Sequence, residues 1–189
     1  MPSNSLRRWR DDRRRELDEV EVAHQSVGGS ARGRRYATLQ INYSYALLLS
    51  ANFQGFCRDL HTEVARFLAD WLTTSSFRGV LRTSFTMNRK LDAGNPNPGN
   101  LGSDFNRFGL DFWTDVLKLS PYNSRRREKL EELNTWRNAI AHHDFSRISG
   151  PLLRIAQVRI WRRTCDRLAV SFDRVLSSYL RTHTSIPPW

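Results

Sequence analysis

Tyr36 to Thr73 reads YATLQINYSY ALLLSANFQG FCRDLHTEVA RFLADWLT. Leu39, Tyr43, Ala46/Leu47, Ser50, Phe53, Cys57, Leu60, Val64, Phe67/Leu68 and Trp71/Leu72 recur at intervals of three and four. That is the period of an α-helix, in which such positions share a face. The apolar positions are too many for one narrow stripe, so burial on more than one side is expected. Unbroken, the helix would span about 57 Å at 1.5 Å per residue. Gly55 marks either a bend or a point of close helix approach. The polar run Thr73-Thr74-Ser75-Ser76 supplies the stop and the caps.

A helix this long needs partners of the same period. Leu152 to Leu180 is predicted to be a second long helix, with Leu153, Ile155, Val158, Trp161, Cys165, Leu168, Phe172, Val175, Leu176 and Tyr179 on its apolar side, and Pro151 suits its first turn. Upstream, residues 1–5 are expected to be loose. Leu6 to Val27 is a charged helix with apolar points at Trp9, Leu17, Val20 and Ala23/His24, and Arg13-Arg14-Arg15 is read as part of its solvated face. Gly28-Gly29-Ser30 ends it before the basic loop Arg32-Gly33-Arg34-Arg35.

Between the long helices the pieces are short. Phe77 to Leu91 is predicted as a helix with Val80, Leu81, Phe85 and Leu91 inward. Ala93 to Gly102, containing Asn-Pro-Asn-Pro-Gly-Asn, is expected to be a loop. Ser103 is the expected N-cap of a short helix ending at Gly109. Asp111 to Leu119 carries Phe112, Trp113, Val116 and Leu117, a stripe read as core rather than as a base-stacking platform. Ser120-Pro121 precedes another helix, starting near Ser124, with Leu130, Leu133, Trp136 and Ile140 at helical spacing. No β-alternation of any length is present. The expectation is one all-α domain over 1–189, with 1–35 as a charged helix and basic loop and 36–189 as the core. Its architecture is a bundle of two long helices, a further helix from Ser124 onward and short connecting helices.

At 189 residues, 39% hydrophobic and 26% charged, the chain can bury a sizeable core. The formal charge is +11 and the isoelectric point about 10.7. Such a surplus favours polyanions and suits RNA. Of the 30 basic residues, only Lys90, Lys118 and Lys129 are lysine. Cys57 and Cys165 lie among apolar neighbours and are read as reduced core residues of a cytoplasmic protein. No apolar run approaches the ~18 residues of a membrane span. The Arg- and Asp-rich start does not read as a signal peptide. No Gly-rich phosphate loop and no Cys/His ligand array is present, so no cofactor and no metal is expected. The adjacent pairs Asp11/Asp12 and Glu131/Glu132 face different ways on a helix and make poor two-carboxylate sites.

The chemistry is concentrated in Arg137-Asn138-Ala139-Ile140-Ala141-His142-His143-Asp144. Arginine is a fixed cation with a planar fork of donors suited to phosphate. Histidine can give or take a proton near neutrality. Residues four apart share a helix face, whereas five apart are about 140° round the axis. Asn138 and His142 therefore share a face. Arg137 and His142 do not, unless the helix unwinds near Ala141 or a second copy supplies the missing half. The plainer roles are Asn138 as a cap and His143 as a solvated residue. Two basic runs are candidate RNA contacts: Arg34 and Arg35, and Arg125, Arg126 and Arg127, the latter set against the helix dipole.

The string Arg-Asn-x-x-Ala-His resembles the Arg-x4–6-His motif of HEPN domains. Leu48 to Leu60 (LLSANFQGFCRDL), Gly94 to Trp113 (GNPNPGNLGSDFNRFGLDFW) and the Pro188-Trp189 ending look like the RiboL-PSP-HEPN group and its relatives, a likeness running from about Tyr36 onward. It implies an all-α domain, a homodimer whose two motifs face one cleft, and metal-independent ribonuclease activity, frequently in prokaryotic defence or toxin–antitoxin systems with a partner antitoxin. Other members are non-catalytic modules binding RNA, nucleotide or protein. On that reading Arg137, Asn138, His142 and His143 are the catalytic candidates. His142 moves a proton to or from the ribose 2′-hydroxyl or the leaving 5′-oxygen, and Arg137 stabilises phosphoryl charge. Asn138 positions the imidazole or a phosphate oxygen, and His143 is the alternative base. Toxins silenced by nucleotidyl transfer resemble Arg-x4–6-His-x-Tyr. Here Asp144 and Phe145 stand two past His142 and His143, so that control is in doubt.

Overall fold

A computed structural model describes residues 1–28, 35–73, 76–148, 150 and 152–189. All regular structure among them is helical. The long periodic stretch is one helix, α3 (Arg35–Leu72); the chain before it forms α1 (Asn4–Arg8), a π-turn over Trp9–Arg13, and α2 (Arg14–Gly28). These three run antiparallel to α3: Asn4 N–H donates to Glu63 at 2.9 Å, Asn52 donates to Glu16 at 3.0 Å, and the Tyr45 hydroxyl donates to Glu21 at 2.7 Å.

Residues 1–5 are therefore not loose. Ser3 caps α1, its own N–H donates to Asp173 at 3.0 Å, and Ser5 donates to Glu63 through both N–H and hydroxyl. A chain end is ordered when its backbone donors find acceptors, and here two carboxylates from distant helices provide them. Arg13 is likewise no solvated residue. The π-turn swings it onto α3, where Nη1 donates to the Asn52 carbonyl at 2.6 Å and Nη2 pairs with Asp59 at 2.7 Å. Its guanidinium lies flat against Gly55, where a Cβ would stand 2.6 Å from Nη1. Gly55 is thus the close approach, and α3 runs through it.

The last helix, α9 (Ile155–Thr184), lies parallel to α3, with the tilted rings of Phe53 and Phe172 6.0 Å apart and Asn42 donating to the Leu153 carbonyl at 2.9 Å. Glu21 joins α2, α3 and α9, accepting from Tyr45, Arg159 at 3.0 Å and Arg162 at 3.2 Å. Burial works against its charge, yet the Tyr45 and Arg159 hydrogen bonds hold the carboxyl below its ordinary value. Between α3 and α9 lies an aromatic core of Trp9, Phe53, Phe56, Phe105, Phe112 and Phe172, all buried. Cys57 and Cys165 are free and buried in it, and burial pushes both thiols well up.

The middle of the chain departs most from expectation. Phe77 to Leu91 is not one helix: α4 (Arg78–Thr86) stops where Asn88 adopts φ 56°, and Leu91 belongs to the separate turn α5 (Lys90–Ala93). Val80 points outward, 64% exposed, because α4 touches the bundle only along the side carrying Leu81 and Phe85. The Ala93 to Gly102 segment is not all loop either. Asn97 caps α6 (Pro98–Phe105) with Pro98 in its first turn, so Ser103 lies inside the helix and not at its start. A 3-10 turn over Asn106–Phe108 then ends at Gly109, φ 88°, as its glycine suggested. Asp111 caps α7 (Phe112–Leu119), whose Phe112, Trp113 and Val116 are core, as read.

The fourth bundle member, α8 (Tyr122–His142), begins two residues before Ser124 and runs antiparallel to α9. Leu130, Leu133 and Ile140 are buried, and Trp136 packs on Trp161 at 6.2 Å. The basic loop through Arg34 and the Pro151 position lie outside the described residues.

Candidate functional site

α8 stays α-helical through His142, so Glu131, Asn134, Thr135, Asn138 and His142 form one polar stripe. The stripe walls a cleft of about 410 Å³ that Asn97, Asp144 and Arg147 also line. Two polar segments position it. The 94–97 segment is pinned to α3 by Gln54, which donates to the Leu91 and Gly94 carbonyls at 2.6 and 2.9 Å. From there the Asn95 carboxamide donates to Asn138 Oδ1, while buried Asn134 donates to the Pro96 carbonyl at 3.3 Å. Asn134 Oδ1 is buried without a partner among the described residues.

The second segment is the turn after α8. His143 sits in the left-handed region, φ 52°, where glycine is usual. Its N–H and that of Asp144 close onto the Ile140 and Ala139 carbonyls at 3.4 and 3.0 Å. Asp144 accepts from Ser146 N–H at 3.0 Å, and Phe145 stacks on Tyr43 at 5.7 Å. This reversal brings Arg147 to line the same cleft as His142. Ser146 hydrogen bonds hold the Asp144 carboxyl below its ordinary value, so an anion stands at the mouth.

Asn138 and His142 thus come together in one cleft. Arg137 does not line it; its Nη1 donates to Asn138 Oδ1 at 3.2 Å. With Asn95 and Arg137 both giving to its oxygen, Asn138 presents its NH₂ as the available donor. His143 is exposed on the turn and not a cleft residue. Arg125, Arg126 and Arg127 lie at the other end of α8, roughly 22 Å or more of helix from His142. There Arg126 donates to Asn123 at 2.7 Å and lies over Tyr122, and Arg127 lies over Trp113. Arg35 begins α3; its side chain and Arg34 lie outside what is described.

Sequence reading missed Arg147, Asn95, Asn97 and Asn134. Asn95 and Asn97 were visible only as turn chemistry, Asn134 only as a position inside the predicted helix, and Arg147 reaches the cleft through a left-handed residue that is not glycine. Among the described residues no group of three or more His, Cys, Asp or Glu side chains is placed to hold a metal ion. The cleft therefore offers a titratable imidazole, a guanidinium and an amide donor converging on one space open to solvent. No family model, curated protein or solved structure matches the chain.

Proposed function

We propose that the chain is a metal-independent endoribonuclease whose cleft at the C-terminal end of α8 cleaves RNA by attack of a ribose 2′-hydroxyl on the adjacent phosphorus. The observation that supports it is the convergence of His142, Asn138 and Arg147 on one accessible cleft, with Arg137 bonded to Asn138 behind it. His142 takes the 2′-proton as the P–O2′ bond forms and the P–O5′ bond breaks. A second imidazole gives a proton to the leaving 5′-oxygen, leaving a 2′,3′-cyclic phosphate and a 5′-hydroxyl. One cleft has one histidine, so the acid comes from a second copy of the chain. That is the homodimer the HEPN resemblance implies, and it would also bring the second copy's Arg137 to the reacting phosphate. General acid–base catalysis contributes about 10²–10⁴-fold, and a guanidinium or amide aimed at developing charge contributes further. The same resemblance suggests a defence or toxin–antitoxin setting with a neutralising partner protein, and the two free, buried cysteines suit the cytoplasm.

The test is end-group analysis of a labelled RNA incubated with the purified chain in excess EDTA. Cyclic phosphate ends from wild type, and loss of cleavage in His142→Ala and Arg137→Ala, support the reading. Undiminished cleavage by both variants overturns it. Binding without cleavage by wild type on several RNAs makes the cleft a recognition module instead.

A further inference from the structure

The outward side of α9 takes no part in the cleft. Arg163, Arg167, Arg174 and Arg181 are all exposed there. At 100° per residue they fall within about 40° of one line, and they span about 27 Å of helix. Several arginines elsewhere in the chain are paired with carboxylates: Arg13 with Asp59, Arg82 with Asp70, Arg89 with Asp92, and Arg159 and Arg162 with Glu21. The four on this line make no ion pair among the described residues. The two carboxylates of α9 are engaged by the N-terminal segment. Asp166 accepts from Trp9 Nε1 at 3.0 Å, and Asp173 from Ser3 N–H at 3.0 Å.

The flanks add charge of the same sign. On one side a hollow of about 430 Å³ lies between Arg163 and Arg167 and the π-turn side chains Arg10 and Arg14; Asp11 and the committed Asp166 also line it. On the other, about 390 Å³ is enclosed by Tyr122, Arg125, Arg126 and Lys129 against Ile160. Both hollows border the same stretch of α9, one at Arg163 and Arg167 and the other at Ile160 and Thr164. Tyr122 is 69% exposed with the Arg126 guanidinium 5.9 Å from its ring centre.

We infer that this arginine line on α9, with Arg10, Arg14, Arg125 and Arg126 beside it, is a second RNA-binding surface that tracks the phosphates of a single strand. A linear row of guanidinium forks matches a repeating anion, and an exposed ring at its edge provides a face for a base; that combination is the signature of single-strand binding. The inference rests on the reading of the chain as acting on RNA and adds where the strand lies outside the cleft.

The experiment uses the full chain with His142→Ala, so that the probe survives, and a fluorescein-labelled single-stranded RNA of roughly 16 nucleotides. Anisotropy is followed across a salt series. Arg163→Gln/Arg167→Gln/Arg174→Gln should bind at least about ten-fold more weakly, and the salt slope should become shallower by about 2, at roughly 0.7 per lost phosphate contact. The charge-matched control Arg7→Gln/Arg58→Gln/Arg66→Gln, also at exposed positions, should change binding less than about three-fold. Equal losses in the two triple variants mean bulk charge alone, and no loss in the first means no surface; either overturns the proposal. So does competition by polyglutamate as strong as that by unlabelled RNA. If circular dichroism shows the first triple variant unfolded, single Arg163→Gln and Arg174→Gln decide by the same slope. With His142 restored, the triple variant should cleave a dinucleotide at the wild-type rate and the long RNA more slowly. Absence of all cleavage by wild type would fail the catalytic reading while leaving the binding result to stand.

Discussion

Asn95 donates a side-chain hydrogen bond to Asn138 Oδ1 across 43 positions of sequence, tying the segment before α6 to the polar stripe of α8. Arg137 gives to the same oxygen, so the orientation of the Asn138 amide depends on both. Replacing Asn95 with Ala removes one donor without touching the cleft surface. If the cleft cleaves RNA, kcat should fall about ten-fold with KM nearly unchanged, an effect of one lost positioning bond. Single-turnover kinetics on the variant read the split directly.

Gly55→Ala provides a test of the π-turn. In the middle of an ordinary helix this substitution stabilises by roughly 0.5–1 kcal/mol. Here the new Cβ would stand 2.6 Å from Arg13 Nη1, and Arg13 is held by Asn52 and Asp59. Displacing it breaks a half-buried network, so the variant should lose about 1–2 kcal/mol in urea unfolding. In an Arg13→Ala background the same change should turn stabilising. A double-mutant cycle without that reversal of sign would remove Arg13 from the packing of α3.

Why one half of this fold could be read and the other could not is clear from these residues. Tyr36 to Thr73 and the last helix carry their own period, so local pattern and burial agree. Arg13 looked solvated because its acceptors lie 39 and 46 positions away, beyond any local pattern. Asn97-Pro98-Gly99 reads equally as a turn or as an N-cap with a first-turn proline, and only α8 packing beside it decides. At the site, helical spacing correctly separated Arg137 from the Asn138–His142 face. Nothing local announced that His143 would take a left-handed conformation and bring Arg147 round.

Acid should weaken the fold through His61. This ring is wholly buried against Phe105 and Phe108, and its Nε2–H donates to the Asp104 carbonyl at 3.2 Å. Burial first, then the charge of Arg89, lowers its pKa to about 3. The unfolded chain takes up this proton below about pH 6.5 and the folded chain refuses it. Stability from this group is therefore complete above about pH 6.5 and declines toward pH 3 by about 1.4 kcal/mol per unit. Wild type minus His61→Leu, compared by urea unfolding between pH 7 and pH 4, should show that slope. Parallel pH profiles would exclude His61 as the acid-sensitive group.

His143→Gly separates the two histidines and tests the turn at once. A side chain in the left-handed region costs roughly 1–2 kcal/mol, which glycine avoids. Glycine also loosens the unfolded chain, so the net expectation is a gain of about 0.5–1 kcal/mol. His143 makes no side-chain contact with the cleft, whereas His142 lines it. RNA cleavage by His143→Gly should therefore stay within about three-fold of wild type while His142→Ala loses about 10²-fold or more. Thermal melting and cleavage rates on the same preparations give both numbers. A more stable but inactive His143→Gly would move the proton-transfer role from His142 to His143 and require the turn to open when RNA binds.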